Sequence, residues 1–205
     1  MPVAILRKNL SVMNSSKFSI KLFVESDPFG PTEFVPVFHR WIQEQSLEGH
    51  NLIDVADYAH VPSGPGTLVV AFEANIHMDR VDDRLGLLYV RKTKLEGSFR
   101  ERLATALRYA IEAAAKMESE PEFAGRLKFR TDEIFVRIHD RLEAPNTPET
   151  FTAVKQDFEA VVGEIVGGPV SLTPESDERK LFGLTVKTPS KRSASEVAAS
   201  NSVRA

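Results

Sequence analysis

Cysteine is absent from this 205-residue chain, which excludes disulfides, thiolate zinc sites, iron–sulfur clusters and a cysteine nucleophile. A cysteine-free composition fits a reducing compartment, and the cytoplasm is the expected location. Long apolar runs are missing too. The longest, Leu68-Val69-Val70-Ala71-Phe72 and Leu85-Gly86-Leu87-Leu88-Tyr89-Val90, fall well short of the roughly 20 residues that cross a bilayer. Between Met1 and Leu10 the apolar residues precede Arg7 and Lys8, the reverse of a secretory signal. No membrane association is expected. Charge of one sign is also scarce. With 26 basic and 29 acidic residues the net charge is −3, too balanced to imply nucleic acid by charge alone. Finally, the G-x-G-x-x-G, G-x-x-x-x-G-K, G-x-S-x-G and H-E-x-x-H motifs do not occur.

What is present is a composition of 42% hydrophobic and 27% charged residues, that of a globular domain. Residues 17–187 read as one domain with a core of its own, 1–16 as an N-terminal extension and 188–205 as a tail. The tail, rich in Ser and Ala, offers little apolar surface to offset its ordering entropy and is expected to be disordered.

Within the domain the apolar period switches between two and 3.6. Phe18, Ile20, Leu22 and Val24 alternate with Ser19, Lys21 and Glu25, the pattern of a half-buried strand. Phe34, Val37, Phe38, Trp41 and Ile42 then fall on one helical stripe, with Pro36 restricting the start and Thr32 or Val35 near the N-cap. Residues 51–58, 67–73 and 85–93 read as strands. Ser98 and Glu101 have the spacing of a capping box that opens a helix through about residue 119. Residues 126–130 and 133–139 read as two strands joined or bulged at Thr131-Asp132. Thr147-Pro148 opens another helix, Gly167-Gly168-Pro169 closes it, and 181–187 is a last strand. The order predicts an α+β fold. Its sheet should be mixed or largely antiparallel, with about three helices packed mainly on one face.

Chemistry-bearing side chains concentrate between Asp54 and Asp83. Asp54, Asp57, His60, Glu73, His77 and Asp79 are the candidate acid–base residues, and His60, His77 and Glu73 the candidate ligands of a divalent metal. If the local chain is extended, Asp54 and Asp57 point to opposite faces, whereas Glu73, Asn75, His77 and Asp79 share one. The simpler account is a polar sheet rim in which Arg80 and Arg84 neutralise Asp79, Asp82 and Asp83. No cofactor is required by this sequence. Ser63, Gly64 and Gly66 in the Pro/Gly turn, with Arg40 on the first helix, are candidate ligand contacts. A structural turn and a solvated helix face are the simpler readings of these four. Arg126, Lys128 and Arg130, extended by Arg91, Lys92, Lys94, Arg137 and Arg141, could form a basic sheet face for single-stranded nucleic acid. Without consecutive aromatics this is the weakest of the readings, and nucleic acid is not the expected partner. A well-specified core without a recognisable catalytic arrangement favours a non-catalytic ligand-binding or protein-interaction domain. A protein partner or self-association is expected, with a small molecule as the other ligand class. The alternative is a metal-assisted or acid–base enzyme built on the Asp54–Asp79 window.

Overall fold

The computed structural model of the chain describes residues 12–30, 32–61, 64–123 and 125–202. Among these residues eight strands are formed: β1 (Phe18–Val24), β2 (Leu52–Asp57), β3 (Thr67–Ala71), β4 (Ala74–Asp79), β5 (Gly86–Arg91), β6 (Phe129–Ile138), β7 (Ser171–Pro174) and β8 (Gly183–Lys187). They make one antiparallel sheet in the order β2-β3-β4-β5-β1-β6-β8-β7. The helices are α1 (Val35–Glu44), α2 (Phe99–Ser119), α3 (Pro148–Val162) and α4 (Ala194–Ser202). This is the expected α+β architecture, with four helices among the described residues rather than three.

Period-two patterning explains the layering. Phe18, Ile20 and Leu22 of β1 join Leu87 and Tyr89 of β5 and Ile134, Val136 and Ile138 of β6 in the core. Against this face lie Leu103, Leu107, Ala110 and Met117 of α2, with Phe99 meeting Phe18 edge-on at 5.8 Å. The capping box of α2 is present: Glu101 N–H donates to Ser98 Oγ, and Ser98 N–H donates to Glu101 Oε2. In α1, Phe34, Phe38 and Trp41 are all fully buried. This helix lies over β2 and β3 rather than over β1. Its N-cap is Phe34, one residue before the Val35 boundary and with no side-chain cap, since Pro36 in the first turn sets the start.

Several elements differ from the sequence reading. The run 67–73 is not one strand. A two-residue turn at Phe72-Glu73 reverses the chain, so β3 and β4 pair as a hairpin with Val70 opposite Asn75. Residues 129–138 form a single strand, and Thr131-Asp132 falls where the β1–β6 register shifts between Leu22 and Val24, a bulge rather than a break. Residues 171–174 add an edge strand. The apparent extension is also part of the domain from residue 12: Val12 is buried, and Arg102 donates to the carbonyls of Met13 and Ser15. Residues 1–11 lie outside the described residues.

The largest difference is the tail. Residues 194–202 form a helix whose Ala194 and Val197 are fully buried. Composition understated this segment because its anchor lies elsewhere in the chain. Glu118, buried on α2, accepts from the N–H groups of Ala194 (3.3 Å) and Ser195 (3.0 Å) and from the Ser195 hydroxyl. The same carboxylate accepts from Phe129 N–H at 2.7 Å, at the start of β6. A negative group at the N-terminus of α4 satisfies donors that the helix leaves unpaired and complements its dipole. Glu118→Ala should therefore cost about 1.5–3 kcal/mol in urea unfolding, with buried N–H groups left unmatched. Limited proteolysis should then cut first within 188–202. A variant as stable and as resistant as the wild type would show that α4 is held by its apolar contacts alone.

Candidate functional site

The structure disperses the acidic and imidazole residues that crowd together in sequence. Strand register sets Asp54 opposite Val70 and Asp57 opposite Thr67, so the two carboxylates face opposite sides of the sheet. Each does local work. Asp57 accepts from Ala59 N–H (2.9 Å) and the Thr67 hydroxyl (3.2 Å), Asp54 from Val55 N–H (2.8 Å), and Glu73 from Asn51 N–H (2.8 Å). His77 meets the Pro65 carbonyl at 3.3 Å, while Tyr58 and His60 are exposed. Among the described residues no group of three or more Asp, Glu or His side chains stands close enough to hold a metal ion. Gly66 has φ 68°, and a Cβ there would come within 2.0 Å of the Met78 carbonyl oxygen, so close backbone approach explains this glycine. Gly64 sits in the same turn, and Ser63 lies outside the described residues. Arg40 is engaged by Glu120 and Glu122, and these contacts, Glu122 foremost, raise its pKa further.

Asp79 is not neutralised by its sequence neighbours. Arg80 instead holds Asp27, at 2.7 and 2.8 Å, and Arg84 holds Glu133 at 2.8 Å. Asp79 is buried against Lys21 of β1, 2.5 Å from its Nζ, and also accepts from Val81 N–H at 3.1 Å. Lys21 and Asp79 are two strands apart, with β5 between them. Lys21 can reach because Gly86 of β5, paired with both Asp79 and Phe23, presents no side chain. A Cβ at Gly86 would lie 2.9 Å from Lys21 Cε and 2.6 Å from the Leu22 carbonyl oxygen.

This ion pair lies beneath the sheet face opposite the helices. Among the described residues none of the four α-helices covers that face, which we call the open face. Register places Asn75, Val90, Ser19 and Arg137 on one cross-strand row, and His77, Leu88, Lys21, Phe135 and Thr185 on the next. The segment following β4 and the β7–β8 connection, through Val81, Arg84, Glu175 and Lys180, wall a cavity of about 320 Å³ over the central strands. Its floor is partly apolar, from Phe23, Leu88, Val90 and Phe135. Three of its carboxylates are paired: Asp79 with Lys21, Glu133 with Arg84, and Glu175 with Lys180. Arg137 has no carboxylate partner among the described residues. Its guanidinium lies 4.9 Å from the Phe135 ring centroid, and its Nε is buried without a hydrogen-bond partner. Asn75 Oδ1, on the same row, is likewise unmatched. In sequence Arg137 was one of several basic residues. The fold separates it from Arg91, which projects to the helix side and donates to Tyr89 Oη at 3.3 Å, and from Arg126 and Arg130, which pair with acidic residues.

A second polar cluster gave no sequence signal. His50, buried beside Tyr89 and Tyr109, has Nδ1 3.0 Å from the Glu48 carbonyl and Nε2 3.0 Å from Tyr89 Oη. A carbonyl only accepts, so Nδ1 carries the proton and Nε2 accepts from the tyrosine. Burial lowers the pKa of His50 and pushes that of Tyr89 up to about 12. The pair is thus a neutral packing element near pH 7. His77 is shifted down as well, again by burial first. No protein-family model matches this sequence, and no curated protein matches it.

Gly86→Ala should lower stability by about 1–3 kcal/mol through overpacking. An unchanged urea midpoint would mean that the Lys21 stem is free to move aside. The imidazole shifts set a pH dependence. With its folded pKa below the ordinary 6.5, His50 is protonated more readily in the unfolded chain. Its contribution is therefore complete above pH 6.5 and declines as pH falls below that value. The unfolding midpoint, followed by Trp41 fluorescence, should drop between pH 7.5 and about pH 5.5. His50→Gln should show a shallower drop. Equal slopes would assign the effect to other groups.

Proposed function

We propose that this protein is a non-catalytic binding domain that receives a ligand or partner on the open face of its sheet. The observation that carries this reading is the row Asn75-Val90-Ser19-Arg137, with an unmatched buried polar atom at each end and an apolar floor beside it. Buried polar groups are nearly always hydrogen-bonded, because leaving one unmatched costs about 1–3 kcal/mol. Arg137 in the cavity lining, with Asn75 on the same row just outside it, favours a guest that supplies the missing contacts. The cavity volume, about 320 Å³, is at the lower end of the span typical of small-molecule sites. No described helix is long and apolar enough to cross a membrane. The cysteine-free composition supports placing the protein in the cytoplasm as part of the same proposal.

A thermal-shift screen of a small-molecule collection tests the reading, since a compound that binds only the folded chain raises Tm by mass action. Stabilising compounds should lose their effect in Val90→Asp, which alters the cavity floor. They should keep it in Ile53→Asp, on the exposed β2 edge away from the cavity. If Val90→Asp retains the wild-type shifts, the open face is not the binding surface.

A further inference from the structure

Resting on the open-face reading, we propose that the cavity binds a small organic monoanion with an apolar body the size of one or two rings or a short acyl chain. Charge within the cavity points to this guest. Lys21, Arg84 and Lys180 are each matched by a carboxylate, so the cation without one, Arg137, remains to attract an anion. Its planar fork is suited to a carboxylate or sulfonate, and a charged acceptor forms a stronger bond to guanidinium than a neutral one. The unmatched Nε–H requires an acceptor that no described protein group supplies.

Beside Arg137 stands an imidazole that is neutral near pH 7, so Arg137 remains the fixed cation at this end. His139 lies two residues on, just past the end of β6, and its N–H donates to the Lys17 carbonyl. Desolvation, then the positive charges of Arg137 and Lys17, hold the His139 pKa below its usual value, so the three groups feel one another. A guest carboxylate at this end would meet the fixed Arg137 cation, with the His139 imidazole beside it in the lining. Asp82, the remaining acidic group of the lining, is exposed in the segment following β4, past the Asp79–Gly86 end of the hairpin, whereas Arg137 belongs to the row of Asn75 and Val90. The body of the guest would then rest on Phe135, Leu88 and Val90, removing apolar surface from water. The paired carboxylates of the walls disfavour a dianion or polyphosphate, which would face Glu133 and Glu175 as well as Arg137.

The test uses the intact chain and two probes with similar ring systems: 1-anilinonaphthalene-8-sulfonate, which is anionic, and N-phenyl-1-naphthylamine, which is neutral. Fluorescence titration should give saturable binding of the sulfonate at one site per chain, displaced by octanoate or benzoate. Arg137→Gln should weaken the sulfonate about tenfold and leave the neutral probe within about twofold. Arg137→Lys should recover part of the loss, and circular dichroism and Tm establish that both variants are folded. Equal binding of both probes, unaffected by Arg137→Gln but lost in Val90→Asp, would overturn the anion assignment and leave the open-face reading standing. Indifference of both probes to Val90→Asp would defeat that reading itself. If sedimentation shows that Arg137→Gln changes self-association while probe binding stays the same, the face is an interface between copies and the small-molecule proposal fails.

Discussion

Among the described residues the four α-helices pack on the same side of the sheet, and this one-sidedness governs the rest of the structure. Helix side chains and one parity of each strand exclude water from a single core, so the other parity must be stable without a covering layer. The central strand meets this demand in an unusual way. Ser19, Lys21 and Phe23 of β1 are all buried although they face away from the helices. Asp79 lies against the Lys21 ammonium there, and the approach depends on Gly86 having no side chain. A buried pair of this kind adds little net stability, yet losing one partner leaves an uncompensated charge. The pair thus fixes how β1, β5 and β4 lie relative to one another beneath the cavity.

Glu118 plays the corresponding part on the helix side. One carboxylate joins the end of α2, the start of β6 and the first turn of α4. Glu120, one turn away from Lys116, receives the Trp41 indole N–H at 2.6 Å and an Arg40 guanidinium, tying α1 to the same helix end. The C-terminal turn of α2 is where three separate elements are fastened. Its sequence, Glu118-Ser119-Glu120, would pass for a solvated helix end.

How far the sequence could be read follows from how local each determinant is. The capping box at Ser98, the Thr147-Pro148 helix start and the alternation of β1 are decided by neighbours within a few residues, and all three are found in the structure. The β3–β4 hairpin escaped because Phe72-Glu73 carries no glycine, proline or asparagine to mark the turn. Helix α4 escaped because its partner is 76 residues away. The cavity was hidden for a related reason. Arg91 and Arg137 look alike in sequence, and only the β1–β5 and β1–β6 registers reveal that they project to opposite faces. The acidic window drew attention by density, a one-dimensional property that the alternating faces of β2 and the turn at Phe72-Glu73 dissolve.

Strand order also constrains the time course of assembly. Ser19 pairs with Val90 on one side and with Arg137 on the other, so the N-terminal strand occupies the centre of a sheet whose remaining strands are synthesised later. The hairpins of β2 to β5 can zip from short loops, but β1 must wait for a segment about seventy residues downstream and then for one about fifty residues beyond that. Until β6 arrives, one edge of β1 stays bare, with Phe18, Ile20 and Leu22 exposed beside it. An unpaired edge of this kind is a template for edge-to-edge association, and pairing with β6 removes it in the finished sheet.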